Sequence, residues 1–173
     1  MSFRDEWGLD ERKKMMKTDY VRLIAAILVC QGAGLLGAVF TAKAVPGWYA
    51  TLQRPSFNPP SWVFGPVWTL LYTMMGVALY RIWRLEPATA GRALALTLFL
   101  IQWALNALWS PLFFGARALW LAFADIVLML AAIALTIALF QPLDPTSAWL
   151  LAPTLAWVSF AALLNYAYAK LNP

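Results

Sequence analysis

The sequence predicts an all-α membrane protein, a five-transmembrane-helix bundle, on three observations. Of its 173 residues, 62% are hydrophobic and 12% charged, about half the charged share of an average soluble domain. Eleven of the 21 charges fall within the first 22 residues, so the remainder is poorer still. Five stretches with at most one charge at their centre follow one another, each close to the roughly 20 apolar residues that cross a bilayer. A soluble chain of this length has no interior large enough to hide so much apolar surface.

Residues 1–20 form a charged N-terminal arm, and residues 21–173 the transmembrane domain. The arm's RKKMMK run, Arg12 to Lys17, points beside a membrane to anionic headgroups rather than nucleic acid. Span one is the uncharged run Leu23–Ala42. A cleaved signal peptide is the competing reading, with AKA at Ala42–Ala44, but the run exceeds a signal core of 7–15 residues and contains Gln31. The first loop, about 43–61, is the long connection. It leads through RPSFNPPSWVFGPVW, Arg54 to Trp68, which packs four prolines and four large aromatics into fifteen residues. Span two, Pro55–Tyr80, is expected to be helical from about Trp62. Spans three, four and five are Ala93–Ala116, Ala118–Phe140 and Ala148–Ala169, and the fourth carries a single acid, Asp125. The connections RLEPATAGR, GAR and QPLDPTS are too short for a second domain. Nine Lys and Arg lie on the N-terminal side and four on the other. In an inner membrane that bias places the N-terminus in the cytoplasm and the aromatic loop opposite.

Several chemistries are excluded by composition. Histidine is absent, which removes the commonest general base, zinc ligand and axial haem ligand. Cys30, the lone cysteine, lies inside an apolar run, so no disulfide and no metal set follows. No acid–base pair or nucleophile constellation is present, which excludes hydrolysis. No cofactor is expected to be required.

The remaining signals are polar, small and aromatic residues placed inside spans. Ala26, Cys30, Gly34 and Ala38 stand four apart on one face of span one, a spacing that serves either close packing within the bundle or a dimer seam. Gln102, Asn106, Trp109 and Phe113 form a stripe on span three. Amides at membrane depth need partners, either on other helices or in a cavity. Asp125 is expected to face the bundle interior, as structural glue or as part of a relay. Phe64, Trp68 and Tyr72 align on span two, and Trp157, Ala161, Asn165 and Tyr168 on span five. Such stripes serve packing or enclose a flat apolar ligand. Trp48, Tyr49, Trp62, Trp83, Trp120 and Trp149 lie near span ends, where amphipathic rings partition to the interface. Leu164, Tyr166 and Lys170 match a loose sterol-contact pattern.

Four of these segments, GWYATLQRPSFNPPSWVFGPVWTLLY, QWALNALWSPLFFGAR, LAFADIVL and LAWVSFAALLNY, occur in an order that resembles the TspO/MBR family of tryptophan-rich sensory and mitochondrial translocator proteins (peripheral benzodiazepine receptor). The resemblance covers about Leu23 to Asn172. It implies a five-helix bundle, commonly a homodimer, with a ligand cavity opening toward the first loop. The ligands implied are tetrapyrroles such as protoporphyrin IX, with sterols or benzodiazepine-type compounds besides membrane lipid, and no nucleic acid. The functions implied are porphyrin transport or regulation and stress sensing, or light-dependent porphyrin degradation. Under the resemblance Trp68 and Trp157 match the tryptophans implicated in degradation, and Gln102, Asn106 and Trp109 match a row lining the cavity. Ala161 matches a small position that alters ligand binding. Trp48, Tyr49, Phe57, Trp62, Phe64 and Asp125 complete the expected ligand-binding set. The aromatic loop is expected to be a semi-rigid lid with Trp68 one turn below it, since proline orders backbone in advance and removes donors. This chain departs from the family in Phe57, where tryptophan is common, and in Leu121, where some relatives place a pocket tryptophan.

Overall fold

The computed structural model describes the backbone from Phe3 to Pro173 and side chains from Met16. The expected headgroup contacts of the arm therefore fall largely outside the described residues. The elements are α1 (Phe3–Ala44), a single turn α2 (Trp48–Thr51), α3 (Ser61–Trp83), α4 (Arg92–Ser110), a π-helical turn (Pro111–Gly115), α5 (Leu119–Phe140) and α6 (Pro145–Leu171). Five of the helical segments are long and apolar enough to cross a membrane, starting with Met16–Ala44 of α1. The chain is an integral, multi-pass membrane protein, all helical among the described residues. α1 runs unbroken through residue 20, where the sequence reading divides the charged arm from the transmembrane domain.

Local chemistry explains where the helices begin. Pro60 precedes Ser61 with extended backbone, so α3 starts directly after the proline run. Asp144 caps α6, its side chain accepting from the Thr146 N–H, and Pro145 occupies the first helical position, where a missing N–H costs nothing. Gly91, at φ 81°, turns the chain into α4 through a left-handed conformation that glycine adopts without penalty. The guanidinium of Arg92 then donates to the carbonyls of Ile82 and Trp83 and covers the open end of α3.

The helices close into a ring in the order α1, α3, α6, α5, α4 and back to α1. In the half away from the first loop this ring is a solid core in which Ile82, Phe99, Phe140 and Leu151 have no exposed surface. There α1 and α3 touch backbone to backbone, and a Cβ on Gly76 would fall 2.5 Å from Ile27 Cα. The small residues of span one are used inside this ring: Ala26 and Cys30 are buried, Gly34 lies against the Tyr72 ring, and Ala38 faces the cavity described next. Trp83, Trp120 and Trp149 stand exposed at helix ends, as interfacial anchors do.

Candidate functional site

In the half toward the first loop the ring encloses a cavity of about 460 Å³, within the range of small-molecule sites. All five spans contribute to its wall. The Trp68 ring stacks on Tyr72 (centroids 5.3 Å apart), Trp109 stacks on Phe113 (4.9 Å), and Phe64 meets the edge of Trp157 (5.9 Å). Ile126 and Met129 of α5 and Ala161 of α6 fill the wall between the rings. The π-helical turn has a part in this arrangement. It places Phe113 and Phe114 against each other at 4.8 Å and against Tyr49, and widened turns of this kind recur at functional sites.

The polar groups of the wall are sorted by their partners. Tyr72 Oη donates to Asn106 Oδ1 at 2.6 Å, which fixes the amide and leaves Asn106 Nδ2 with no protein acceptor. Asn106 is 6% exposed and lines the cavity. Trp157 Nε1 likewise has no protein partner. Trp109 is different: its indole donates to Asn165 Oδ1 at 2.9 Å, and Asn165 Nδ2 in turn donates to the Leu119 carbonyl. That indole is structural, and what Trp109 offers the cavity is its ring face.

Of the residues singled out in the sequence, Tyr49, Phe64, Trp68, Asn106, Trp109, Trp157 and Ala161 meet at the cavity. Others do not. Gln102 is fully buried one turn below Asn106, with neither amide atom paired to protein, and it is not on the wall. Asp125 is buried and also off the wall. Trp48 lies behind Phe113, on a shallow groove at the loop end that it shares with Leu121 and Arg117, whose guanidinium sits 5.6 Å over its ring. Trp62 is 75% exposed at the start of α3. Phe57 packs edge-on against Phe160 and is otherwise exposed.

Of the Arg54–Trp68 segment expected to form a lid, Ser61, Phe64, Gly65 and Trp68 line the cavity, whereas residues 50–60 are not on its wall. The loop is tied instead to the end of α6. Asn172 pairs its amide with both backbone groups of Gln53, at 2.9 and 3.1 Å, and the hydroxyl of Tyr168 bridges Tyr49 and Asn58. The sterol pattern also divides. Leu164 lines the cavity, while Tyr166 and Lys170 face outward beside Trp120 and Phe123.

Sequence reasoning missed Gln31, whose amide donates to the Thr69 carbonyl and Thr73 Oγ1 at 3.0 Å and bridges α1 to α3 at the cavity edge. A lone glutamine in an apolar span was the available signal. Met129 and Ile126 gave none, since nothing distinguishes them from lipid-facing residues of the same helix.

The model of the TspO/MBR family matches residues 26–171. The chain is similar to the tryptophan-rich protein TspO of Chlorobaculum tepidum, 40% identical over 162 residues that cover 91% of this chain and all of that protein. It is 45% identical to the translocator protein of Homo sapiens over 136 residues, 76% of this chain and 80% of that protein. The tryptophan-rich sensory protein of Cereibacter sphaeroides is 34% identical over 157 residues, 91% of this chain and 95% of that one.

Proposed function

The chain belongs to the TspO/MBR family, and from that premise we propose that it binds a free-base tetrapyrrole such as protoporphyrin IX in the aromatic cavity, acting in porphyrin transport, regulation or stress sensing. One observation carries this reading: aromatic rings of several helices line one cavity, and two of its lining residues, Asn106 and Trp157, carry buried N–H donors without a partner among the described residues. Trp68 on Tyr72 and Trp109 on Phe113 present ring faces to a planar macrocycle. Asn106 Nδ2 and Trp157 Nε1 are buried donors whose lack of an acceptor is unfavourable, and a side-chain shift that turns either toward the cavity lets a ring nitrogen or a carboxylate edge accept from it. Arg54 lies 5.7 Å over the ring of Tyr49, itself on the wall, so a cation stands near the loop end for a propionate. With no histidine in the chain, an iron porphyrin lacks its commonest axial ligand and is left with ligands such as Tyr or Met, so the free base is the favoured form.

A second reading has its own observation. Trp68 and Trp157 both stand on the cavity wall, where each indole is placed as an electron donor to a photoexcited porphyrin. The sterol reading draws less support, because Leu164 and the Tyr166–Lys170 pair lie on different surfaces.

Titration of the purified protein in detergent with protoporphyrin IX in the dark, followed by tryptophan quenching, tests the first reading. Saturable quenching is expected, weakened by Trp68→Phe or Trp157→Phe. Its absence removes the porphyrin reading. Repeating the titration under illumination tests the second reading: loss of the porphyrin spectrum in the wild type, abolished in the double Phe variant while binding persists, supports turnover. Equal bleaching in both reduces it to solution photochemistry.

A further inference from the structure

The wall of the cavity is not uniformly enclosed. Its exposed members are Leu35 and Ala38 on α1 and Ser61, Gly65 and Thr69 on α3, and every other lining residue is buried or half-buried. Leu35 is 70% exposed. These five lie on the two helix faces that turn toward each other. Ser61, Gly65 and Thr69 follow at steps of four and lead down the same side of α3 to Gly76, the point of backbone contact with Ile27. On α1, Ile27 and Gln31 lead upward to Ala38 with Leu35 beside it. The two helices therefore pack tightly in the far half, are bridged by Gln31 at Thr69 and Thr73, and above that bridge carry the exposed part of the cavity wall. On its other flank α1 is closed onto the end of α4 and the turn after it: Phe40 lies against Gly115, and a Cβ on Gly37 would fall 2.9 Å from Ser110 Oγ.

The depth of the gap decides what lies outside it. The gap runs from Ser61, at the start of α3, down to Thr69, eight residues in, and on α1 down to Leu35, nine residues from its end. Its floor at Thr69 and Leu35 therefore lies about 12–14 Å inside the helix ends at 1.5 Å per residue. Both lie within segments apolar enough to span the bilayer. The medium at that depth is acyl chain, in the leaflet on the side of the first loop. The edges suit the passage of a flat body, since glycine, alanine and hydroxyl side chains narrow the gap least. The Oγ1 of Thr69 also spends its hydrogen on the Gly65 carbonyl, so it presents no free donor.

We infer that the gap between α1 and α3 is a lateral port, through which a flat, membrane-dissolved amphiphile passes between the acyl-chain region and the cavity. The inference rests on the ligand reading above for what passes, and on geometry alone for the port. It also gives a role to the loop tied down on α6: with the loop end held by Asn172 and Tyr168, exchange takes place through the side of the bundle.

Two measurements on the full chain test it. A Cβ on Gly65 meets nothing within 4 Å, so Gly65→Trp adds a large ring at the edge of the gap without a clash at its Cβ. In proteoliposomes, the rate of tryptophan quenching on adding protoporphyrin IX and, after loading, the rate of its release to acceptor vesicles are both expected to fall at least about tenfold in Gly65→Trp, the mark of a barrier raised by at least about 1.4 kcal/mol. Unchanged rates, or faster release with unchanged uptake, overturn the port. The second measurement needs no ligand. A nitroxide at Gly65→Cys in a Cys30→Ala background is expected to collide with oxygen as freely as one at lipid-facing Leu70→Cys, and rarely with a water-soluble nickel chelate. Low oxygen collision means that a second copy or the loop covers the gap, and high nickel collision means that it opens to water; either overturns the port. If the wild type binds no porphyrin, the ligand reading fails and the nitroxide result alone decides the geometry.

Discussion

At the scale of single residues, the decisive distinction is between polar atoms that have a protein partner and those that do not. Tyr72 Oη and Asn106 Oδ1 form a buried pair at 2.6 Å, so Tyr72→Phe leaves an amide oxygen buried and unpaired. That loss is expected to destabilise the protein by about 1–3 kcal/mol, read as a lower melting temperature in detergent. Gln102 is the control, since neither of its amide atoms has a protein partner. Gln102→Met, of similar shape, is expected to be neutral or stabilising, and a loss as large as that of Tyr72→Phe would show that Gln102 has partners after all. Sequence spacing put Gln102 and Asn106 on one stripe, and they do share a face of α4. What spacing does not encode is where the cavity ends. One turn, about 6 Å, separates an amide on the wall from one sealed in the core. The same limit applies to Trp62 and Phe57, whose residue type suits a pocket but whose positions, at a helix start and in a tied loop, turn them away from it.

At the scale of elements, the five spans were legible because hydrocarbon thickness and backbone hydrogen bonding leave a helix of about 20 residues as the solution for a chain of this composition. The boundaries of α3, α5 and α6 follow from prolines, the Asp144 cap and hydropathy, and the structure places them within a few residues of the sequence reading. The single turn α2 and the π-helical turn at Pro111–Gly115 were not legible, since both arise from how the loop end packs rather than from local periodicity. The small-residue row of α1 was legible as a close-approach surface, but not its partner, because glycine marks proximity without naming what comes near. Its main partner is α3, and Gly76 tests this. Gly76→Val puts its Cβ where Ile27 backbone stands, and since backbone cannot move aside as a side chain tip can, a loss of at least about 1–3 kcal/mol is expected. Gly65→Ala on the same helix has open space at its Cβ and is expected to melt with the wild type. Equal melting of Gly76→Val and wild type would contradict the tight α1–α3 contact, and with it the hinge above which the lateral gap opens.

At the scale of the whole molecule, the bundle is asymmetric along its axis: a cavity with a side opening in one half, a filled core in the other. The filled half is closed, so the cavity opens to its surroundings in the half toward the first loop. The filled half is fastened at its rim by an ion pair that joins two walls of the cavity helices. Arg81 near the end of α3 donates from Nε and Nη2 to the two oxygens of Asp144, at 2.6 and 3.0 Å, just where Asp144 caps α6. The Arg81 hydrogen bonds, helped by those from Ser147 and the Thr146 N–H, hold the Asp144 carboxyl below the usual carboxylate range of about 3.9. Because the folded state holds the proton less readily than the unfolded one, the clip's contribution is complete above the unfolded value and disappears as pH falls through the lower folded value. The melting temperature attributable to the clip is therefore expected to be level from neutral pH to about 5 and to decline below about 4. Asp144→Asn should melt below the wild type at pH 7, and the gap between the two should close on acidification as the wild-type carboxylate takes up its proton. A gap that stays constant down to pH 3 would mean that the carboxylate's charge does not hold α3 to α6, and that the closed end of the bundle rests on the packing of Ile82, Phe99, Phe140 and Leu151 alone.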